Sequence, residues 1–258
     1  MRRYAVIGCP IEHSRSPEIY LPLFEKYGIE ADFTRIRVER GELGRAMERL
    51  RALDGFAVTM PHKAAILPFL DRVSEGAAAV GAANIITKEN GLLTGHNTDG
   101  EGLKNLMLSL GIDPNGLRVF ILGRGGAARA AAYALQNAGA QAIHLVRSLR
   151  PDTGRCEMLS DPAALETAGE CGAFINATPL GMAGGEEFSS FAILDALRPK
   201  AVFDMVYRPG ETTALVSAAA ARGIPAYDGT GMLVHQGLIA FKLWTGEDAS
   251  PEDIGFGV

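Results

Sequence analysis

The chain has 258 residues, of which 47% are hydrophobic and 21% charged, and its formal net charge at pH 7 is -5. This composition is typical of a soluble globular protein with one or two domains and excludes a disordered chain. The small acidic excess gives no overall attraction to nucleic acid or to an anionic membrane, and no apolar run approaches the roughly 18 residues that a spanning helix needs.

The amino terminus and the cysteines both predict a cytoplasmic protein. The first apolar run ends at Gly8, too early for the core of a signal peptide. Cys9, Cys156 and Cys171 are widely spaced, which fits neither a disulfide framework nor a CxxC metal site, so we expect reduced thiols. The histidines lack the spacing of a metal motif such as HExxH, and no metal is expected.

In the first part of the chain, short β-rich runs alternate with longer helical ones, which predicts an α/β architecture with parallel sheets. The helical spacing of Leu43, Met47, Leu50 and Leu53 predicts a packing helix over residues 41–53. The predicted strands cover residues 4–8, 31–38, 56–59 and 84–87, and Glu89-Asn90-Gly91 then turns the chain.

A second α/β series begins near residue 117, after a helical run over residues 102–110, and has the spacing of a nucleotide-binding domain. Its predicted strands cover residues 118–122, 142–146, 173–176 and 201–205. A final helix over residues 232–245, with Trp244 as a packing residue, is expected to pack back on the first domain. We therefore predict one domain of residues 1–101 with 232–258, and a second of residues 102–231.

The strand at 118–122 runs directly into a glycine turn, Gly123-Arg124-Gly125-Gly126-Ala127-Ala128, that opens a helix over residues 127–137. Gly123 permits the tight turn, Gly125 lets the backbone approach a pyrophosphate, and the small Ala128 allows close packing of helix on strand. The helix start then faces the phosphates. An ordinary glycine turn is the alternative, but the order of strand, turn and helix favours dinucleotide binding.

The end of the next strand indicates which dinucleotide is bound. A carboxylate there would hold the ribose diol of NAD, and none is present. Arg147, Ser148 and Arg150 follow instead, two cations and a hydroxyl suited to a 2'-phosphate. The sequence thus favours NADP over NAD, although arginines of an exposed loop would give the same pattern.

Polar residues also follow the strands of the first domain. Ser14 and Ser16 can share one carboxylate, or Ser16 can cap a helix with Pro17 at its first position. Lys63 follows a strand end, where open α/β sheets bind ligands, and Thr98 or Asp99 is either a helix cap or part of a site. A ketone that accepts hydride becomes an alkoxide, which an ammonium can stabilise and protonate while a carboxylate orients it.

Several motifs in order make the chain resemble the shikimate dehydrogenase family along nearly its whole length. They are GCP (8–10), HSRSP (13–17), VTMPHK (58–63), GAAN (81–84), NTDG (97–100), GRGGA (123–127), NATPLGM (176–182), DMVY (204–207) and GTGMLVHQ (229–236). The resemblance implies two α/β domains, an N-terminal substrate domain and a Rossmann-like NADP-binding domain. It also implies reversible, NADPH-dependent reduction of 3-dehydroshikimate to shikimate, in the biosynthesis of aromatic amino acids.

The resemblance further implies the role of each site residue. Lys63 and Asp99 would be the catalytic pair, with Lys63 as the acid–base group. The substrate carboxylate would bind Ser14, Ser16 and Tyr207, and its ring oxygens would bind Thr59, Lys63, Asn84, Asp99 and Gln236. The cofactor would bind Gly123, Arg124, Gly125, Gly126, Ala127, Arg147, Ser148, Arg150, Met205 and Gly229.

The chain departs from the family pattern at three positions. Ala57 replaces the usual asparagine before Val58-Thr59, Arg124 replaces the usual alanine of the glycine turn, and Val146 replaces the asparagine before Arg147. Ala57 supports the nearest alternative, a dehydrogenase of quinate or a related cyclohexane carboxylate.

A non-catalytic dinucleotide or metabolite sensor on the same fold is the other alternative, against which Lys63 and Asp99 argue. The expected partner is a small-molecule substrate, without nucleic acid or membrane, and the expected state is a monomer or homodimer. Asp204 is expected to be a structural hydrogen-bond acceptor.

Overall fold

A computed structural model describes residues 1–149 and 157–255. The chain divides into two compact units: unit 1 is Met1–Gly102 with Val234–Val258, and unit 2 is Leu103–Leu233. Strands and helices alternate in both, which confirms the α/β class. Among the described residues, none of the helices has the length and hydropathy needed to cross a bilayer.

Unit 1 contains a six-stranded mixed sheet in the order β2-β1-β3-β5-β6-β4. Its elements are β1 (Arg2–Gly8), α1 (Ser16–Lys26), β2 (Ala31–Arg37), α2 (Leu43–Arg51), β3 (Gly55–Val58), β4 (Arg72–Val73), α3 (Glu75–Val80), β5 (Ile85–Glu89), β6 (Leu92–His96) and the start of α4 (Asp99–Ser109).

The expectation that both sheets are parallel is wrong for unit 1. Strand β1 is parallel to β2 and β3, but β5 is antiparallel to both β3 and β6. Asn90 and Gly91 adopt φ values of 51° and 79°, and two such residues in succession favour a tight hairpin turn. The turn seen in the sequence therefore returns the chain as an antiparallel neighbour.

Successive residues of β1 point to opposite faces of this sheet, and each face has its own core. Ala5 and Ile7 pack with α2 residues such as Leu50. On the opposite face, the ring centroids of Tyr4 and Trp244 are 5.0 Å apart, and the Trp244 indole N–H donates to the Ile86 carbonyl at 2.9 Å. The final helix therefore packs on unit 1, as predicted.

Unit 2 contains a six-stranded sheet in the order β12-β11-β10-β7-β8-β9, in which every neighbouring pair is parallel. Its elements are the rest of α4, β7 (Arg118–Leu122), α5 (Gly126–Asn137), β8 (Gln141–Val146), β9 (Glu157–Leu159), α6 (Pro162–Leu165), β10 (Ala173–Asn176), α7 (Ala192–Leu197), β11 (Val202–Asp204), α8 (Ala214–Ala220), β12 (Ala226–Tyr227) and the start of α9 (Gly229–Thr245).

The strand order of unit 2 is that of a doubly wound dinucleotide-binding sheet, in which the chain starts at a central strand and fills first one side and then the other. The direction reverses between β7 and β10, and ligands of such sheets bind at the carboxyl ends of the strands next to this point. The glycine turn follows β7 directly.

Candidate active site

One edge of the unit 1 sheet collects the polar residues of the predicted substrate site. Parallel strands β1 and β3 both end there. Because β5 is antiparallel to β3 and β6 is antiparallel to β5, β5 begins at this edge and β6 ends at it. Ile85 accordingly pairs with both Ala57 and His96. This edge therefore brings together the segments that follow β1, β3 and β6 and the residue that precedes β5.

Lys63 and Asp99 form an ion pair at this edge. The distance from Lys63 Nζ to Asp99 Oδ2 is 2.7 Å, and the side chains are 31% and 9% exposed. The other carboxylate oxygen, Oδ1, accepts a hydrogen bond from Asn84 Nδ2 at 2.8 Å. The carboxylate is thus fixed by two donors, and it holds an ammonium group that is partly open to solvent.

Two further side chains join this pair in a buried hydrogen-bond network. Asn84 Nδ2 lies 2.9 Å from Thr98 Oγ1 and 3.3 Å from Gln236 Oε1. The Thr98 hydroxyl donates to the same Gln236 oxygen at 3.3 Å, and the Thr98 backbone N–H donates to Asn84 Oδ1 at 2.8 Å. Because each of these groups has partners within the network, the side chains have little freedom to rotate.

Ser14 and Ser16 follow β1 at the same edge, and the Ser14 hydroxyl donates to Ser16 Oγ at 3.2 Å. The expectation that Ser16 caps α1 with Pro17 at the first helical position is wrong. Arg15 is the N-cap residue, with no side-chain cap, so Ser16 is itself the first helical residue and Pro17 the second. The Arg35 guanidinium donates to the Ser14 carbonyl at 2.8 Å and ties this turn to β2.

The segments after β1 and β3 are packed closely enough to require a glycine. A Cβ atom on Gly8 would lie 2.5 Å from Thr59 Cγ2 and 2.9 Å from the Met60 carbonyl oxygen. The Cys9 backbone N–H donates to that same carbonyl at 3.0 Å. This contact places Thr59 next to the loop that carries Ser14 and Ser16.

The glycine turn in unit 2 leaves the start of α5 open. Gly123 has a φ of +106°, a conformation that favours glycine. Gly125 is the N-cap residue without a side-chain cap, and a Cβ atom there would meet no atom within 4 Å among the described residues. The backbone N–H groups of Gly126 and Ala127 lie in the first turn of the helix, where intrahelical acceptors are missing. This cradle fits a pyrophosphate.

Cations surround this turn. The Arg124 guanidinium donates to the Ser148 carbonyl and so joins the turn to the loop after β8, where Arg147 and Ser148 are exposed. Arg129, on the first turn of α5, donates to the Arg124 carbonyl at 3.4 Å. Arg150 lies outside the described residues.

The other predicted unit 2 residues follow β11. A Cβ atom on Gly229 would lie 2.6 Å from the Met205 carbonyl oxygen, so only glycine allows α9 to start this close to the end of β11. Tyr207 is half-buried in the next segment.

Asp204 Oδ1 accepts from Asn176 Nδ2 at 2.9 Å and from the Val206 N–H at 3.1 Å, and burial raises the pKa of this carboxyl group. It is a structural acceptor, as expected.

Sequence reasoning left the role of one residue of these clusters open and missed two others. Thr98 is predicted to be either a helix cap or a site residue, and its hydroxyl lies in the network with Asn84 and Gln236. Arg129 is four residues beyond Gly125, within one helical turn, so helical spacing indicates its position. Tyr20, which is hydrogen-bonded to Gln236, has no local signal. Among the described residues, no group of three or more His, Cys, Asp or Glu side chains is arranged to hold a metal.

Fold and site together define a nicotinamide-dinucleotide-dependent oxidoreductase: a doubly wound unit with an open glycine turn, and a second unit with an ion-paired lysine among buried amides. Residues 6–86 match the family model for the shikimate dehydrogenase substrate binding domain, and residues 229–254 match that for the shikimate 5'-dehydrogenase C-terminal domain.

Known proteins that are similar to this chain over most of its length are also shikimate dehydrogenases. The shikimate dehydrogenase (NADP(+)) of Citrifermentans bemidjiense is 42% identical, over 93% of this chain and 89% of that protein. That of Rubrobacter xylanophilus is 39% identical over 94% and 90%. The structure of Thermus thermophilus shikimate 5-dehydrogenase in complex with NADP(H) and shikimate has a TM-score of 0.84 and 34% identity, with coverage of 98% and 97%. The chain belongs to the shikimate dehydrogenase family.

Proposed function

We propose that this protein is an NADP-dependent shikimate dehydrogenase that reversibly reduces the ketone of 3-dehydroshikimate. The observation that carries the proposal is the Lys63–Asp99 ion pair, anchored by Asn84, at a sheet edge lined by hydroxyl and amide groups. The names of the most similar curated relatives, and the ligands in the Thermus thermophilus structure, support this substrate and this cofactor.

Bound NADPH supplies a hydride, and the protein controls the charge that then develops on the ketone oxygen. Lys63 Nζ donates a hydrogen bond to this oxygen and delivers a proton to it, and in the reverse direction takes the proton back. Asp99 keeps the ammonium pointing at the reacting oxygen, and Asn84 keeps the Asp99 carboxylate in place through Oδ1. Lys63 and Asp99 are therefore the proposed catalytic pair.

The other polar groups of the edge are proposed to recognise the substrate. Ser14 and Ser16 bind its carboxylate, for which Ser16 is available because it does not cap α1. Tyr207 of unit 2 is assigned to the same carboxylate by family resemblance. Thr59, Asn84 and Gln236 bind ring oxygens together with the catalytic pair. A substrate that lacks one of these oxygens would leave a buried polar group unpaired, at a cost of about 1 to 3 kcal/mol.

The proposed cofactor site is the open start of α5 with the cations around it. The turn from Gly123 to Ala127 binds the pyrophosphate through the backbone N–H groups at the start of α5, and Arg147, Ser148 and Arg150 bind the 2'-phosphate. Arg124, held against the Ser148 carbonyl, adds positive charge at this loop. Met205 and Gly229 are assigned to the cofactor by family resemblance. Because the widely spaced cysteines are expected to be reduced thiols, we also propose a cytoplasmic location.

Quinate is the second candidate substrate, and Ala57 is the observation that favours it. This residue is buried on β3 beside Ile85, so it contributes a methyl group where the family pattern has an amide. The test is to follow nicotinamide absorbance with shikimate and quinate, each offered with NADP and with NAD. We expect the highest kcat/KM for shikimate with NADP. A preference for quinate would overturn the proposed substrate, and a preference for NAD would overturn the proposed cofactor. Absence of turnover with either acid would overturn the dehydrogenase activity itself.

A further inference from the structure

The amide group of Gln236 is held at its oxygen end. Thr98 Oγ1 donates to Gln236 Oε1, and Asn84 Nδ2 also lies within hydrogen-bonding distance of this oxygen, both at 3.3 Å. An amide oxygen accepts about two hydrogen bonds and an amide nitrogen donates two. With its oxygen turned toward Thr98 and Asn84, the side chain presents its nitrogen on the other side.

Tyr20 holds the nitrogen end. This residue lies on the second turn of α1, is 1% exposed, and its hydroxyl is hydrogen-bonded to the Gln236 side chain. A Cβ atom on Gly237 would lie 3.7 Å from Tyr20 Oη, which independently places the hydroxyl beside this part of α9. A hydrogen bond that lowers the pKa of a phenol is one donated to its oxygen, so the partner of the Tyr20 hydroxyl is the Gln236 amide nitrogen.

The ring of Tyr20 is itself fixed. Its centroid lies 4.7 Å from that of Phe33 and 4.9 Å from that of Trp244, within the aromatic core of unit 1. Burial and the nearby charge of Asp99 raise the pKa of the Tyr20 phenol well above its ordinary value, so the hydroxyl stays neutral. A rigid ring thus carries an uncharged hydroxyl to a fixed point beside Gln236.

We propose that Tyr20 is a positioning residue of the substrate site, which fixes the amide of Gln236 so that its nitrogen is presented as a donor to a ring hydroxyl of the substrate. This inference rests on the proposed function, because Gln236 is the residue that touches the substrate. Without the Tyr20 hydroxyl, the amide nitrogen loses this partner, and the orientation of the amide then depends on the contacts at its oxygen end. Substrate binding then weakens, whereas the Lys63–Asp99 pair stays intact.

The experiment is a double-mutant cycle with Tyr20→Phe, Gln236→Ala and the combined variant, and with Tyr4→Phe as the matched control. Tyr4 belongs to the same aromatic core, stacks on Phe24 at 5.2 Å and directs its hydroxyl to the Trp244 carbonyl instead of to Gln236. Both Phe variants remove one buried phenol hydroxyl and keep the ring, so a general loss of packing or stability would affect them alike.

We expect Tyr20→Phe to raise the KM for shikimate by roughly 5- to 30-fold, the factor that corresponds to one or two kcal/mol, and to leave kcat and the KM for NADP within about threefold. In the Gln236→Ala background the same substitution should change the KM less than about twofold, because the group it positions is gone. Tyr4→Phe should leave the KM unchanged. Equal effects of Tyr20→Phe in both backgrounds, or a KM change in Tyr4→Phe that matches it, would overturn the proposal.

A measurement without substrate separates this inference from the proposed function. In ¹⁵N-labelled protein, the side-chain amide resonances of Gln236 should shift in Tyr20→Phe and stay in place in Tyr4→Phe. An unshifted resonance in Tyr20→Phe would overturn the positioning role even in an active enzyme. Absence of shikimate turnover in the unmodified protein would instead overturn the proposed function, with the amide shift still observed.

Discussion

Lys63 Nζ lies 2.7 Å from Asp99 Oδ2, although 36 positions separate the two residues in the chain. Lys63 follows β3, and Asp99 follows β6 at the same edge of the sheet. The hairpin of β5 and β6 makes this contact possible, because β5 leaves this edge and β6 returns to it just before Asp99.

Substitution of Lys63 by alanine tests the acid–base role. We expect kcat for shikimate oxidation to fall by about 10² to 10⁴, the usual contribution of a positioned acid–base group, with a smaller effect on NADP affinity. Steady-state kinetics and a cofactor titration provide the measurement. Lys242→Ala is the matched control, since Lys242 also forms an ion pair with an aspartate, Asp248, but at an exposed site. Unchanged turnover in Lys63→Ala would exclude this role.

Arg147→Ala tests the choice of cofactor. The substitution removes a proposed charge-assisted hydrogen bond to the 2'-phosphate, a group that NAD lacks. Such a bond contributes about 1.5 to 3 kcal/mol, so NADP affinity should fall by roughly 10- to 100-fold while NAD affinity changes little. Fluorescence titration of both cofactors measures this, with the exposed Arg45→Ala of unit 1 as a control for net charge. A parallel loss of both affinities would contradict the assignment.

Two glycine-to-alanine substitutions should separate packing from ligand binding. Gly229→Ala places a methyl group 2.6 Å from the Met205 carbonyl oxygen, and such overpacking is expected to lower the free energy of unfolding by about 1 to 3 kcal/mol. Gly125→Ala meets no atom within 4 Å among the described residues, and we expect a change below about 1 kcal/mol.

The second substitution should instead weaken NADP binding, because its methyl group enters the space proposed for the pyrophosphate. Urea denaturation and a cofactor titration measure the two quantities independently. Unimpaired NADP binding by Gly125→Ala would argue against a phosphate at this turn, and full stability of Gly229→Ala would contradict the close approach of α9 to β11.

Asp253 gives a prediction for the pH dependence of stability. The ion pair with Lys26, together with hydrogen bonds from the Ser250 N–H and the Tyr27 hydroxyl, holds the pKa of this carboxyl group well below its usual value. A group whose pKa is lowered by folding stabilises the folded state above its unfolded pKa of about 3.9, and this contribution is lost as the pH falls through the folded pKa.

Asp253→Asn should accordingly lower the melting temperature at about pH 7, and the difference from the unmodified protein should shrink as the pH falls below about 4. Thermal unfolding followed by circular dichroism across this range is the measurement. Glu42→Gln is the control, because Glu42 forms only a 3.9 Å contact with the exposed Arg45, and should change the melting temperature little. A difference that is constant with pH would refute the linkage.

Much of the fold could be predicted because residues next to many helices and strands mark where these elements begin and end. Strand β7 has the predicted ends, since its apolar run is bounded by Arg118 and Gly123. The two-residue strands β4 and β12 are too short to produce a pattern. Helix α9 begins three residues before the predicted start, because Asp228 Oδ1 accepts from the Thr230 N–H and supports a first turn that contains two glycines.

The candidate site could be predicted residue by residue but not as an arrangement. Motif residues identified Lys63, Asn84, Asp99 and Gln236, yet their contacts depend on strand direction and on a helix more than a hundred residues further along the chain. The capping role expected of Ser16 failed because the helix start shifted by one residue, a difference that local sequence rarely resolves. Tyr20 reaches Gln236 only through the packing of α1 against α9.

The return of the chain to unit 1 through α9 has a consequence for biosynthesis. When residues 1–102 have left the ribosome, all six strands of the mixed sheet have been made, but Phe241 and Trp244, which pack against Phe24 and Tyr4, have not. The aromatic side chains of Tyr4 and Phe24 therefore lack these partners until the entire second unit has been translated. A nascent chain that stalls in this interval would expose these aromatic side chains to solvent, and chaperones or proteases should bind it as an incompletely folded protein.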